Sequence, residues 1–275
     1  MHPSLYSCPV CSDPLNLKDN SWHCDNGHQF DVHKKGYVNL LLSNHKRSKN
    51  PGDDALMIES RRRFLHAGHY QPLAEQISTK VAEFLSPESC VLDAGCGEGY
   101  YTDYLAANQP KSYFYGLDIS KPAINAAARN KAIQWCVASS TRAPYLEQQF
   151  DAIISVFSRI DADSFHRIMK PEGVVAIAAP DHDHLTELRR QLYAQVSAYD
   201  TSKHLSYLDD RFTLVDETRV EAPLSLETNQ AITDLVRMTP HQHKISSDAK
   251  SRIESLDQLN DTACFKLYLF KKGSE

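Results

Sequence analysis

The chain has 275 residues, with 30 basic and 35 acidic side chains and a formal net charge of −5. Its 41% hydrophobic and 24% charged content excludes disordered, collagen-like and coiled-coil classes. No apolar run approaches the roughly 20 residues of a membrane-crossing helix, and Met1 to Val10 lack the basic start and apolar stretch of an export signal, so a cytoplasmic protein with no membrane partner is expected. The charge is uneven: His33 to Arg63 carries +5, which leaves −10 for the remainder. Such a stretch attracts phosphate locally, because salt confines its field to about 8 Å, although a solvated helix face would show the same charges.

In chain order, the first feature is Cys8-x2-Cys11, twelve intervening residues, then Cys24-x3-His28. Seven cysteines, an odd number, argue against a disulfide framework. A two-residue gap lets two thiolates in one turn reach the same metal, and Gly27 can take the positive φ that the second turn needs. Three thiolates and an imidazole complete a tetrahedron, so one structural zinc on Cys8, Cys11, Cys24 and His28 is predicted. A module this small has little core of its own, and metal binding would supply its folding energy.

Phe30 to Leu42 reads as strand-like or mixed, and His45 to Asp53 as a loop punctuated by Pro51-Gly52. Asp53 or Asp54 then caps a helix through Met57, Ile58 and Phe64 to about His66. A second helix covers Tyr70 to Leu85, with Leu73, Ile77 and Val81 at helical spacing.

Next, the strand Cys90-Val91-Leu92-Asp93-Ala94 runs into Gly95-Cys96-Gly97-Glu98-Gly99 and a helix start. Side chains are missing where a ligand must lie against the main chain, and the spacing G-x-G-x-G differs from the dinucleotide fingerprint. Asp118 closes the next strand, Tyr113 to Asp118, where a carboxylate can accept both ribose hydroxyls of a nucleoside. The pattern continues with a helix over Pro122 to Arg129 and strands at Ile133 to Val137 and Phe150 to Val156. A helix over Asp161 to Met169, a turn at Lys170 to Gly173 and a buried strand at Val174 to Ala179 follow. This alternation specifies an α/β, Rossmann-like doubly wound parallel sheet, with ligands at the carboxyl ends of its strands. Cys90, Cys96 and Cys136 read as small packed hydrophobes.

Asp93-x-Gly95-x-Gly97-x-Gly99, the acid Asp118, Phe150-Asp151 and Lys170-Pro171-x-Gly173 together resemble the class I S-adenosylmethionine-dependent methyltransferases. The zinc pattern, Gly36-Tyr37-Val38-Asn39-Leu40-Leu41, His45-Lys46-Arg47-Ser48, Pro51-Gly52-Asp53, Ala67-Gly68-His69-Tyr70, Cys96 to Thr102 and Met238-Thr239-Pro240 narrow the likeness. Over nearly the whole chain they are similar to the bacterial 23S ribosomal RNA (guanine-N1)-methyltransferases. The resemblance implies a zinc-binding module (1–36), a basic linker and helix (37–72) and an S-adenosylmethionine-dependent methyltransferase domain (73–275). It implies S-adenosylmethionine contacts at Tyr70, Asp93, Gly95, Gly97, Glu98, Asp118 and His184, and leaves the catalytic residues unknown. The implied substrate is a guanine in a hairpin of 23S ribosomal RNA, with Arg61, Arg62 and Arg63 expected to contribute to its salt-dependent binding, and a homodimer is suggested by the same analogy.

The chain departs from the family at Ser158-Arg159-Ile160 and at His241-Gln242-His243, regions expected to border the target base. Two other readings remain open at this point: a methyltransferase of the same fold acting on another RNA or a small molecule, and a non-catalytic zinc-dependent RNA-binding protein.

Overall fold

The computed structural model describes every residue except Met1, Lys46, Arg47, Lys49, Asn50, 202–205, Tyr207, Lys244 and 274–275. Lys46, Arg47 and Lys49, three of the basic residues read into the phosphate-attracting stretch, lie outside the described residues.

Strands β1 (Asn16–Lys18), β2 (Ser21–His23) and β3 (Gln29–Asp31) form a small antiparallel sheet beside the cysteine cluster. The chain then leaves a two-residue strand, β4 (Val38–Asn39), at the edge of a second sheet. Helix α1 (Ala55–His66) starts where Asp54, the nearer of the two candidate caps, accepts from the Met57 amide. Helix α2 (Gln71–Ala82) has Pro72 in its first turn and buries Leu73, Ile77 and Val81; it stops three residues short of the expected Leu85.

The core alternation follows as β5 (Cys90–Ala94), α3 (Tyr100–Asn108), β6 (Tyr113–Asp118), α4 (Lys121–Ala127), β7 (Gln134–Val137), β8 (Phe150–Val156), α5 (Ala162–Ile168) and β9 (Met169–Pro180). Beyond it lie α6 (Thr186–Leu192), β10 (Phe212–Leu226), α7 (Asn229–Arg237), α8 (Ser247–Glu254) and β11 (Leu259–Lys272). Ser120, Asp161, Thr228 and Ser246 cap α4, α5, α7 and α8 with side-chain oxygens.

The second sheet has the order β10-β11-β9-β8-β5-β6-β7-β4. Pairing is parallel from β4 through β9, and β11 and β10 then run antiparallel. From β5 the chain fills one direction with β6 and β7, then reverses through β8 and β9; that switch opens the crevice at the strand ends. The expected turn at Lys170–Gly173 is a bulge within β9. Phe150 pairs with Met169 and Ala152 with Val174, and Glu172 sits at φ 65°.

Alternate residues of the strands serve two cores. Val91, Phe114, Ala152 and Val174 face a layer containing Phe64, Leu73, Ile77, Leu105 and Ile124. Leu92, Tyr115, Ile153 and Val175 face Phe165 and Ile168 of α5 together with Leu5, Tyr6, Leu15 and Trp22 of the N-terminal module. That module therefore covers part of a sheet face instead of hanging from the domain. Tyr6 stacks on Tyr145 at 5.3 Å, Ser7 N donates to the Pro144 carbonyl (3.0 Å), and Leu146 N donates to that of Leu5 (2.9 Å). No described helix is long and apolar enough to cross a membrane.

Candidate functional site

The four residues read as metal ligands converge. Cys11 Sγ lies 3.6 Å from Cys24 Sγ, and His28 Nδ1 lies 3.6 Å from the sulfurs of Cys8 and Cys11 and 3.3 Å from that of Cys24. A zinc ion about 2.3 Å from its sulfurs requires tetrahedral edges of roughly 3.8 Å, so this donor set fits zinc with no position left for chemistry. Two turns shape it: Ser12 N donates to the Cys8 carbonyl (2.8 Å) and Gly27 N to that of Cys24 (3.1 Å), with Gly27 at φ 81°.

A cavity of about 1140 Å³ opens at the carboxyl ends of β5, β6, β8 and β9. It is lined by Tyr70, Gly95, Gly97, Glu98, Asp118 and His184, so six of the seven expected cofactor residues share one space. Asp93 is not among the lining residues. It is buried beneath the loop, where its Oδ2 accepts from Thr102 Oγ1 of α3 at 2.6 Å. Burial pushes its pKa up to about 7, against the opposing hydrogen bond from Thr102.

The loop's glycines answer two different constraints. Gly95 has φ 88°, and a Cβ there would lie 2.3 Å from Ser158 Cβ. Gly97 has φ 56° and donates its amide to Asp118 Oδ2 at 2.9 Å. Asp118 Oδ1 accepts from Ser120 N at 2.7 Å, so the carboxylate is fixed at the end of β6; burial raises its pKa, countered by these two amides. Glu98, 1% exposed, is held by Arg129 Nη1 at 2.9 Å. Its Oε1, 3.4 Å from His66 Nε2, and the Tyr101 hydroxyl are buried at the cavity and make no hydrogen bond among the described residues. Orphaned polar atoms around a glycine-lined crevice are what a bound nucleoside with an amino-acid tail would satisfy, and the site fits S-adenosylmethionine.

Tyr70 precedes the first residue of α2, without a capping side-chain hydrogen bond, and sits within an aromatic group, with Phe265 at 4.9 Å and Phe64 at 5.2 Å. The desolvation of its buried hydroxyl raises its pKa. His184 Nδ1 lies 2.8 Å from the Cys264 carbonyl, which fixes the proton on Nδ1; burial lowers its pKa to about 4, so the ring is neutral.

Among the positions singled out where the chain departs from its relatives, Ser158, Arg159 and His241 line the cavity. The His243 side chain lies outside the described residues. Ser139 also lines the wall and caps a 3-10 turn (Ser140–Arg142). Arg61 was not foreseen as a cavity residue. Its guanidinium bridges Asp53 (2.5 Å) and the Met238 carbonyl (3.1 Å), both also lining the cavity. Arg63 is likewise engaged, with a two-pronged pair to buried Asp234 at 2.6 and 2.8 Å, so of the arginine triplet Arg62 is the one exposed without such a described pair. No local signal marks either bond, because their partners lie more than 170 residues away in sequence.

Known proteins agree with this geometry. The RlmA N-terminal zinc-ribbon family matches residues 6–49, and the methyltransferase domain family matches residues 91–173. A Bacillus subtilis (strain 168) protein provisionally named 23S rRNA (guanine-N(1)-)-methyltransferase is 30% identical, over 94% of each chain. The 23S rRNA (guanine(748)-N(1))-methyltransferase of Streptomyces fradiae is 29% identical, over 92% of this chain and 91% of its own. In fold, a provisionally assigned methyltransferase of Bacillus halodurans C-125 aligns with TM-score 0.50 at 12% identity, over 72% of this chain and 99% of its own. Sequence likeness along almost the full length of both chains, with a zinc-ribbon match in front of a methyltransferase-domain match, accords with the closed donor set and glycine-lined crevice found here: the chain belongs to the zinc-ribbon-containing 23S rRNA (guanine-N1)-methyltransferase family, within the class I S-adenosylmethionine-dependent methyltransferases.

Proposed function

We propose that the protein transfers a methyl group from S-adenosylmethionine to N1 of a guanine in 23S ribosomal RNA. The observation that carries this reading is the shared cavity of Gly95, Gly97, Glu98, Asp118, Tyr70 and His184 in a chain whose relatives carry that activity in their names. Bound there, S-adenosylmethionine supplies an electrophilic methyl group. Asp118 is set to accept ribose hydroxyls, the bare main chain at Gly95 and Gly97 admits the donor's tail, and Glu98 and Tyr101 offer polar atoms to it. Asp93 supports the loop from below through Thr102. Alignment of donor and acceptor in a space emptied of water can contribute on the order of 7–11 kcal/mol at best.

Guanine N1 lies on the Watson–Crick edge, so the base must be unpaired or turned out of its stack before it enters. A hairpin loop meets that need, and we assign the target to one on the family likeness. Phosphate contacts then fall to the zinc module and to exposed basic groups such as Arg62 and Lys34. The same likeness supports a homodimer, and ribosomal RNA as substrate places the reaction in the cytoplasm. Two measurements test the reading. N1 methylation removes a pairing donor and stops reverse transcriptase, so primer extension on 23S rRNA should show a stop only when the gene is present. Calorimetry on the zinc-loaded protein should show uptake of S-adenosylhomocysteine. A stop that persists without the gene refutes the assignment.

A further inference from the structure

Guanine N1 carries a proton that must leave as the methyl group arrives, and the cavity's ionisable groups differ sharply in their freedom to take it. Asp53 is paired with Arg61, Glu98 with Arg129, and Asp118 with two backbone amides. His184 is buried and neutral, with Nδ1 committed to the Cys264 carbonyl. A different arrangement also lines the cavity. His241, on the turn Pro240–His243, lies between two phenols: its Nδ1 is 2.7 Å from the Tyr193 hydroxyl and its Nε2 3.1 Å from that of Tyr199. Tyr199 and His241 both line the cavity that holds the glycine loop.

Resting on the guanine-N1 reading, we propose that Tyr199 and His241 form the proton-accepting pair of the reaction, the Tyr199 hydroxyl receiving the N1 proton while passing its own to His241. A neutral imidazole has one donor and one acceptor nitrogen, so two flanking hydroxyls give the chain a direction: Tyr199 donates to Nε2 and Nδ1–H donates to the Tyr193 oxygen. The balance is complete. The N1–H bond breaks and an N1–carbon bond forms as the sulfur–methyl bond breaks, that bond's electron pair staying on sulfur. The positive charge lost by the sulfonium reappears on the imidazolium, which later releases its proton to water. The surroundings suit the transit. The Arg189 guanidinium lies 4.2 Å from the Tyr199 ring centroid, where it favours an electron-rich phenol, and burial holds the Tyr199 proton in place at rest by raising its pKa. The charged and titratable groups facing the pair include Arg189, His184, Tyr193 and Tyr70. By this account Tyr199 touches the substrate and is catalytic, while His241 acts through it and is a positioning and proton-holding residue.

The test is single-turnover methyl transfer to 23S rRNA by the zinc-loaded full chain across a pH series, for the wild type, Tyr199→Phe and His241→Gln, with S-adenosylhomocysteine binding measured on each. Both variants should lose about 10²–10⁴-fold in rate at neutral pH. The loss should shrink as the pH rises toward ionisation of guanine N1 itself, with product affinity unchanged. Tyr199→Phe keeps the ring and removes only the hydroxyl, so it separates the relay from packing. Wild-type rates in both variants overturn the pair, as does a loss that high pH does not restore or one that parallels weakened product binding. If the wild type itself methylates no guanine, the reaction reading falls; if it does and the variants match it, only the pair falls.

Discussion

Gly95 shows how little latitude a single position in the loop has. Its left-handed φ disfavours any side chain, and Ser158, whose Oγ donates to the Ala94 carbonyl at 2.5 Å, fills the space a Cβ would enter. Gly95→Ala is therefore expected to weaken S-adenosylhomocysteine binding at least about tenfold, near 1.4 kcal/mol, measured by calorimetry; unchanged affinity would mean that the donor's tail does not use this approach. Asp93 makes a pH prediction. Its folded pKa of about 7 stands above the ordinary carboxylate value, so the folded chain holds a proton that the unfolded chain releases. Stability from this group is full below about pH 4 and is lost as the pH rises toward 7. Relative to the wild type, Asp93→Asn should thus become progressively more stable across that window in urea titrations. A difference that stays flat with pH would show the carboxyl to be ionised throughout.

At the scale of elements, the strands that carry the cofactor loop were legible because their apolar runs are continuous and their ends are marked by glycine or acid. The cysteine spacing was legible for a similar reason: tight turns place ligands by local geometry alone. Contacts closed by distant parts of the chain were not. The arginine triplet reads as one basic face, yet Arg61 joins two cavity-lining segments and Arg63 ties α1 to α7 through Asp234, which is 2% exposed. Asp234→Ala should cost about 1–3 kcal/mol in chemical denaturation, less than a fully buried pair because Arg63 remains partly solvated. Conversely, Arg62→Ala should flatten the salt dependence of RNA binding by roughly one ion, with folding stability unaltered; an unchanged slope would remove Arg62 from the RNA contact. The antiparallel pair of β10 and β11, connected through α7 and α8, also escaped the sequence reading. Along β10, Phe212 is followed by seven exposed or half-buried residues, and burial at every second position begins only at Val220, with Pro223 among its outward-facing residues, so most of the strand is recognisable only in its pairing with β11.

For the whole molecule, the two sheet faces decide how metal and cofactor are coupled. Leu5, Tyr6 and Trp22 belong to the same core as Leu92, Tyr115 and Ile153, so the metal-bound turns brace the sheet that positions the glycine loop. Chelating the zinc should lower the unfolding temperature of the entire chain in one calorimetric transition. Two separated transitions would show that the module melts alone. Reduced donor affinity after chelation would follow from the same packing.

The short strand β4 has a consequence for how a target nucleotide is selected. By pairing with β7 it fastens the segment after the metal centre to the sheet edge, so the ribbon is a fixed jaw and not a tethered one. If the proposed hairpin is held by that jaw, it would meet the methyl-transfer crevice at a set spacing, and the enzyme would measure length. Adding one base pair to the stem below the loop should move the modified base or abolish modification, while changing stem sequence at constant length should do neither.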